Sequence, residues 1–232
     1  MIIDIITLFP EIYSVLNESV LGRAQNENMF KLNLHHLRDY SEDKHKRCDD
    51  TPYGGGVGMV MTPQPLHSAI NATDPNRHAH RIYLSPKGKL LNQQTVVRLS
   101  KIDHIMLVNG YFEGIDERII SLDIDEEISI GDYILTSGDF ASLALISAIV
   151  RYIPGVLGNA NSTNEETFSN GLLEYPQYTR PRTFMGEHVP DVLLGGNHRE
   201  IAKWRLHSSL SLTKTRRPDL LQDTTNIKKL ED

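Results

Sequence analysis

Four charged residues stand at turns or in loop-like stretches, where a side chain is free to do chemistry. Glu113 lies in a glycine turn, and Arg151 ends an apolar run just before Pro154-Gly155. Glu165 and Glu166 lie in a segment rich in small polar residues, the kind of loop that often carries functional groups. A carboxylate can accept a proton, and an arginine can stabilise developing negative charge. On composition alone, solvated surface residues explain each of the four at least as well.

Other residue types that could do chemistry lack the partners that their reactions need. The His35-His36 pair and the run His78-Ala79-His80 have no cysteine or carboxylate at a recognised ligand spacing, so we predict no metal site. His45 and Cys48 lack a third group that would orient a nucleophile pair. The sequence contains no Walker loop, no G-x-S-x-G turn and no calcium-loop pattern.

The composition is that of an ordinary globular protein. The chain has 232 residues, of which 39% are hydrophobic and 23% charged, enough for one large core and a smaller appendage. Cys48 is the only cysteine, so no intrachain disulfide can form, which fits a reducing compartment. The amino terminus has no basic region before its apolar run, and no apolar stretch reaches the roughly 20 residues of a membrane span. We therefore predict a soluble, cytoplasmic protein with no membrane partner.

Positive charge is concentrated near the carboxyl terminus, although the net charge is −6. Between His198 and Arg217, six basic residues stand against Glu200 alone. Such a segment could bind a phosphate backbone, because the local distribution of charge matters more for binding than the sum. A solvated helix face is the alternative interpretation. The six basic residues are Arg199, Lys203, Arg205, Lys214, Arg216 and Arg217.

The elements that would position these residues follow a repeated pattern of apolar run, glycine turn and helix. Residues 109–139 contain the pattern twice, and a short strand over 81–84 leads into a third turn over 85–88. Strands alternating with helices predict an α/β fold whose parallel sheet is covered on both faces. Glycine turns at the carboxyl ends of such strands form ligand pockets, although G-x-G-x-x-G is absent. The turn at Pro154-Gly155 would aim Arg151 back towards that pocket.

Composition also predicts how the chain divides. We predict a body over 1–160, a linker or mobile loop over 161–175 and a small, mostly helical domain over 176–232, with a helix over 200–212. Residues 54–58 include four glycines, which predict either an anion-binding loop or a plain connector.

Longer motifs, taken together, match those of a known family in their order. The chain resembles the TrmD family of bacterial tRNA (guanine-N1)-methyltransferases, within the SPOUT or trefoil-knot superfamily, over nearly its whole length. The motifs are LFPE (8–11), PYGGGVGM (52–59), LSPKG (84–88), EGIDER (113–118), SIGDYIL (129–135), IPGVLG (153–158), GLLEYPQYTRP (171–181), GNHREIAKWR (196–205) and RRPDL (216–220).

The resemblance implies a deep trefoil knot in the first domain, a fold that general topology rules disfavour. It also implies an obligate homodimer with active sites formed between subunits, a tRNA substrate, and S-adenosylmethionine bound by the knot loops. A role for Mg²⁺ is left open by the sequence. The implied cofactor contacts are Leu84, Ser85, Pro86, Gly110, Phe112, Glu113, Ser129, Ile130, Gly131, Asp132, Tyr133, Ile134, Leu135 and Gly138.

The resemblance further implies methylation of N1 of the guanine just 3′ of the anticodon, at tRNA position 37. The family's base is an aspartate two residues before a phenylalanine, a position held here by Glu166 before Phe168, and Arg151 matches the arginine that stabilises charge on O6. Glu165 is the alternative base. In the family's Gly-Arg-Tyr-Glu-Gly motif, Tyr111 and Phe112 replace the arginine and the tyrosine here. The family's Ser-Gly-Gly-Glu-Leu-Pro motif is Thr136-Ser137-Gly138-Asp139-Phe140-Ala141 in this chain. Two other functions stay open: a SPOUT methyltransferase with a different RNA target, and a catalytically silent RNA-binding relative.

Overall fold

The isoleucine-rich amino-terminal run forms one of five parallel strands in a single sheet. The strands lie in the order β2 (Lys31–His36), β1 (Ile2–Thr7), β6 (His104–Asn109), β5 (His80–Leu90) and β7 (Glu126–Ser129). The computed structural model describes residues 1–158 and 166–221. The chain divides into two compact units, Met1–Ala160 and Asn161–Asp232. In the first unit the elements are β1 (Ile2–Thr7), a 3-10 helix (Pro10–Asn17), α1 (Ser19–Asn26), β2 (Lys31–His36), a 3-10 turn (Leu37–Tyr40), β3 (Asp49–Asp50), β4 (Val60–Met61), α2 (Pro63–Thr73), β5 (His80–Leu90), α3 (Gln93–Leu99), β6 (His104–Asn109), α4 (Glu117–Asp123), β7 (Glu126–Ser129) and α5 (Gly138–Val150).

Both faces of this sheet are buried, as predicted from the alternation of strands and helices. Along β6, Ile105 and Leu107 face a core layer that includes α1, α3 and α5, whereas Met106 and Val108 face a layer formed with α2 and α4. Successive residues of a strand point to opposite faces, so a strand that is apolar on both sides belongs in the middle of a covered sheet. The prediction of an α/β fold with a parallel sheet is confirmed.

The strand predicted over 81–84 is longer than expected, and its end was placed wrongly. β5 runs from His80 to Leu90, and its pairing with β7 shifts register between Leu84 and Lys89. The turn over 85–88 is therefore a bulge within a strand. It re-enters the sheet because Gly88 passes close to β7, where an added Cβ would lie 2.5 Å from the carbonyl carbon of Glu127.

The second unit is built around one long helix. Its elements are β8 (Thr183–Phe184), β9 (Glu187–His188), 3-10 turns at Asp191–Leu193 and Pro218–Leu221, and α6 (His198–Arg216), which the sequence predicted only over 200–212. Asn197 caps α6 by accepting hydrogen bonds from the amides of Arg199 and Glu200. The buried side of α6 carries Ser209 and Thr213, whereas Ala202 near its start is exposed.

Part of the predicted linker packs against this helix. The amide of Leu173 donates to Thr213 Oγ1 at 2.9 Å, and the Arg205 guanidinium lies 4.7 Å from the centre of the Tyr175 ring. Residues 166–175 thus belong to the packed part of the second unit. Across the two described ranges, none of the helices combines the length and the apolar character that a membrane crossing requires.

Candidate active site

A cleft of about 310 Å³ opens at the bulge of β5 and at the carboxyl ends of β6 and β7. Three glycine-bearing turns form its walls, as expected for parallel strands that end at one edge of a sheet. Of the fourteen predicted cofactor residues, thirteen line this cleft, and the exposed Asp132 is not among the lining residues. The thirteen are Leu84, Ser85, Pro86, Gly110, Phe112, Glu113, Ser129, Ile130, Gly131, Tyr133, Ile134, Leu135 and Gly138.

Several residues of the cleft were missed from the sequence. Lys87 lies in the same turn as Ser85, so its place in the motif was a usable signal. Ser137 precedes α5 and accepts a hydrogen bond from the amide of Asp139 at 3.0 Å, the signature of a helix N-cap. The sequence contains no signal for Tyr83, because its position is that of an ordinary strand residue, and only the folded turns place it in the cleft. The other lining residues not predicted are Tyr111, Gly114, Ile115, Ile120, Ile128, Thr136 and Ala141.

Two glycines let the turns approach each other closely. The amide of Gly138 donates to the carbonyl of Gly110 at 2.9 Å, and a Cβ added at Gly138 would lie 3.0 Å from the Gly110 nitrogen. A Cβ added at Gly110 would lie 2.8 Å from the Tyr83 hydroxyl, and burial raises the pKa of that hydroxyl to about 12. Side chains at either position would therefore force the walls of the cleft apart.

The glycine-rich segment, for which the sequence left two interpretations open, borders this cleft. The amide of Glu113 donates to the carbonyl of Met59 at 3.0 Å, and the amide of Met61 donates to the carbonyl of Gly114 at 2.9 Å. Gly58, at φ +89°, lies against the Glu113 side chain, where an added Cβ would come within 2.6 Å of Cγ. The segment therefore covers the turn that carries Glu113, and Glu113 itself remains exposed to solvent.

A buried polar network fixes the start of α5 beneath the cleft. The Asp139 carboxylate accepts hydrogen bonds from Thr7 Oγ1 at 2.7 Å, from the Tyr13 hydroxyl at 2.8 Å and from Ser137 Oγ. The side-chain Nδ2 of Asn109, at the end of β6, donates to the Tyr13 hydroxyl oxygen at 2.8 Å. Burial, together with the neighbouring carboxylate, raises the pKa of Tyr13 well above its ordinary range, so the hydroxyl stays a donor. Shared partners of this kind hold two cleft turns in fixed positions.

Arg151 does not line the cleft of its own chain, contrary to the expectation that the Pro154-Gly155 turn aims it there. The cleft contacts the amino-terminal end of α5, through Gly138 and Ala141, whereas Arg151 caps the carboxyl-terminal end. Thirteen helical residues at 1.5 Å each separate the two ends by about 20 Å. The physical reason is that α5 is one unbroken helix, so a turn after its last residue cannot bring Arg151 back to its first turn.

Glu166 opens the described part of the second unit in a tight turn. The amide and the hydroxyl of Ser169 donate to the backbone carbonyl of Glu166 at 3.0 and 2.7 Å. The amide of Phe168 donates to the backbone carbonyl of Leu172 at 2.8 Å. Phe168 has a φ of +73°, and Arg217 lies 5.9 Å from the centre of its ring. Glu166 is half-buried. Glu165, the alternative base, lies outside the described residues.

The six basic residues of the carboxyl-terminal segment occupy different surroundings. Lys203 pairs with Glu200 at 3.0 Å and Arg217 with Asp219 at 2.6 Å, both on the surface. Arg205 is half-buried over Tyr175, so part of its surface is used in packing. Arg199, Lys214 and Arg216 are exposed. In the described ranges no group of three or more His, Cys, Asp and Glu side chains is arranged to hold a metal ion.

Comparison with known proteins points to one family. A family model described as tRNA (Guanine-1)-methyltransferase TrmD matches residues 1–223. A protein named tRNA (guanine-N(1)-)-methyltransferase from Clostridium novyi is 52% identical over 223 residues, which cover 96% of this chain and 92% of that protein. Its namesake from Caldanaerobacter subterraneus is 54% identical with the same coverage, and that from Alkaliphilus oremlandii is 50% identical over 99% of this chain and 95% of its own length.

Proposed function

This chain belongs to the TrmD family of tRNA (guanine-1)-methyltransferases, and from that membership we propose that it transfers a methyl group from S-adenosylmethionine to N1 of the guanine at tRNA position 37. The observation that carries the proposal is the cleft, whose walls are the turns that hold the family's cofactor motifs. We also propose a cytoplasmic location, because the proposed substrate is a tRNA.

The residues of the cleft fit S-adenosylmethionine. The volume of the cleft, about 310 Å³, lies within the range of roughly 300–1,000 Å³ that is usual for small-molecule sites. Leu84, Ile128 and Leu135 offer an apolar wall for a nucleobase, and Gly110 and Gly138 leave backbone groups within reach of polar atoms. When bound, the donor supplies an electrophilic methyl group on a sulfonium. We further propose that the three turns belong to a trefoil knot, as in the family.

The chemistry of the acceptor gives Glu166 and Arg151 their roles. Guanine N1 carries a proton, so its lone pair becomes a nucleophile only when a base removes that proton. Glu166 holds the family's base position and accepts the proton, which is worth roughly 10²–10⁴-fold in rate. Arg151 stabilises the negative charge that spreads to O6, as preorganised cations do in other active sites.

The position of Arg151 supports a homodimer with composite active sites. Arg151 lies about 20 Å from the turn at Gly138, and an arginine side chain built of bonds near 1.5 Å spans only about 7 Å. A second copy must therefore supply Arg151 to each cleft if the family's catalytic pair operates here. A two-fold dimer does this twice, because its symmetry repeats each contact.

The basic residues of α6 and the following turn supply the tRNA contacts in this proposal. Arg199, Lys203, Arg205, Lys214, Arg216 and Arg217 would neutralise backbone phosphates, with the exposed members contributing most.

One assay tests the function directly. The protein is incubated with methyl-labelled S-adenosylmethionine and tRNA transcripts that carry either guanine or adenine 3′ of the anticodon. We expect label in the guanine transcript, at N1 on nucleoside analysis, and none in the adenine transcript. A silent RNA-binding relative would bind both transcripts without transfer. Equal transfer to both transcripts would indicate a different target nucleotide, and either result would overturn the proposal.

A further inference from the structure

The second unit presents an exposed hairpin whose side chains are not packed into a core formed by the described residues 166–221. Every residue from 176 to 188 is exposed, and β8 and β9 form a hairpin with a two-residue loop within this stretch. Phe184 is 66% exposed and Met185 is 91% exposed. A two-stranded hairpin without a core is at best marginally stable, so burial of apolar surface does not account for these side chains.

The loop of the hairpin carries an unfavourable residue. Met185 has a φ of +49° and Gly186 a φ of +89°, the left-handed pair that closes a type I′ turn. Asn, Asp or Gly normally fills the first of these positions, because a larger side chain crowds the backbone there. A methionine held at positive φ with its side chain in solvent costs stability without a packing gain, which points to a binding role.

The hairpin is nevertheless held firmly at its base. Tyr178 lies against Trp204 of α6 with ring centres 6.3 Å apart, and Tyr175 packs under Arg205. On the other side, the 3-10 turn at Asp191–Leu193 packs against α6. The pairing itself extends to the amide of Val189, which donates to the carbonyl of Arg182 at 3.0 Å. The tip is thus presented on a fixed support.

The side chains along the first strand suit RNA. Arg182 and Phe184 are two residues apart in extended backbone, so they share one face of the hairpin, and Arg180 and Arg182 are both exposed. Glu187 lies opposite Phe184 and is the acidic residue of the hairpin. The sequence of the second unit, residues 161–232, has ten basic and ten acidic residues, whereas residues 1–160 have 14 basic and 20 acidic ones. The hairpin therefore belongs to the less acidic part of the chain, and its own exposed arginines supply the positive charge.

We propose that the β8–β9 hairpin binds an unpaired stretch of tRNA, with Phe184 stacked on a base and Arg182 on a neighbouring phosphate. Proteins read RNA mainly at unpaired bases, which stack on aromatic side chains and guanidinium groups, whereas paired bases offer no free ring face. The inference rests on the proposed tRNA substrate and adds a contact outside the six basic residues assigned above.

The test compares tRNA affinity for wild type, Phe184→Ala, Phe184→Trp and Arg182→Gln over a series of salt concentrations. Loss of one base stack should weaken binding by roughly 5- to 100-fold for Phe184→Ala, with the slope of log K against log salt unchanged. Phe184→Trp should restore affinity. Arg182→Gln should instead lower the slope by about 0.7, the value for one phosphate of a single strand. Leu122→Ala, which removes a 62% exposed side chain from α4, is the matched control.

The outcomes separate this proposal from the proposed function. Wild-type protein that methylates tRNA, combined with Phe184→Ala that binds tRNA as tightly as Leu122→Ala, would overturn the hairpin contact and leave the function standing. A change of sedimentation coefficient in Phe184→Ala with tRNA affinity intact would show that the hairpin contacts a second copy of this chain instead. Thermal unfolding of each variant checks the fold, and affinity for S-adenosylmethionine, measured by calorimetry, should not change.

Discussion

Two variants that are each impaired should complement one another in a mixed dimer, because Arg151 cannot reach the cleft of its own chain. The first variant, Arg151→Ala, leaves the cleft intact. The second, Gly138→Val, leaves Arg151 intact and places a branched side chain where even a Cβ would lie 3.0 Å from the Gly110 nitrogen and 3.4 Å from the Asn109 Cα. Both neighbours are backbone atoms, so the turn itself must move.

The magnitudes follow from these contacts. Overpacking of this kind costs about 1–3 kcal/mol, which corresponds to roughly a 5- to 150-fold loss in affinity for S-adenosylmethionine. Loss of a group that stabilises charge in the transition state costs about 10²–10³-fold in rate. At a donor concentration near the wild-type Kd, Arg151→Ala should therefore keep about 0.1–1% of the rate, and Gly138→Val should fill about 1–17% of its donor sites instead of half.

Differently tagged subunits, purified in tandem, give the mixed dimer alone. One of its two sites combines an intact cleft with an intact Arg151, and the other contains both defects, so activity should be about half that of wild type. Calorimetry should detect one tight donor site per dimer. A mixed dimer that binds one donor yet is as impaired as its parents would refute the reasoning, since both functional groups would then have to come from a single chain.

Three further predictions concern single residues. Glu166→Gln should slow single-turnover methylation by roughly 10²–10⁴-fold at unchanged donor affinity while Glu166→Asp keeps most of the rate, and an unaffected rate in the glutamine variant would exclude this base. Arg216→Gln should reduce the slope of log K for tRNA binding against log salt by about one released ion. Lys101→Gln is the exposed control, and equal slopes for the two variants would place the contact elsewhere. Although burial opposes it, hydrogen bonds from His35, Asn33 and His104 hold the pKa of Asp4 below its ordinary 3.8, so the stability that this carboxylate provides above 3.8 is lost as pH falls through the folded-state pKa. Urea unfolding at a series of pH values should show a shallower acid limb for Asp4→Asn, and an unchanged limb would contradict the assignment.

The pattern of the sequence predicted the parallel sheet because the relevant signal is local. Runs such as 105–108 are apolar at consecutive positions, which is typical of a strand buried on both faces. The predicted end of β5 was wrong for the same reason. A glycine turn has the same local sequence whether the chain leaves the sheet there or forms a bulge and returns to it. Contact between Gly88 and β7 decides between the two, and that contact joins residues about 40 positions apart.

The candidate site divides in a similar way. Motifs located the three turns of the cleft, and the structure brings thirteen of the fourteen predicted cofactor residues together there. The distance of Arg151 from Gly138 could partly be predicted from the sequence, because the apolar, helix-like stretch over 140–150 lies between the two residues. The roles of Tyr83 and of the Asp139 network could not be predicted from the sequence, because their partners lie in other elements. Thr7 and Asp139, for example, are 132 residues apart.

What the sequence determined by itself was the set of glycine turns and the residue types that could do chemistry, because backbone freedom at glycine and the pKa range of a carboxylate belong to single residues. Tertiary structure alone decided which turns meet, that Gly110 and Gly138 bond backbone to backbone, and that Arg151 stands at the far end of its helix from the cleft. Those outcomes depend on the order of strands in the sheet and on close packing between distant segments, and neither is encoded at any single position.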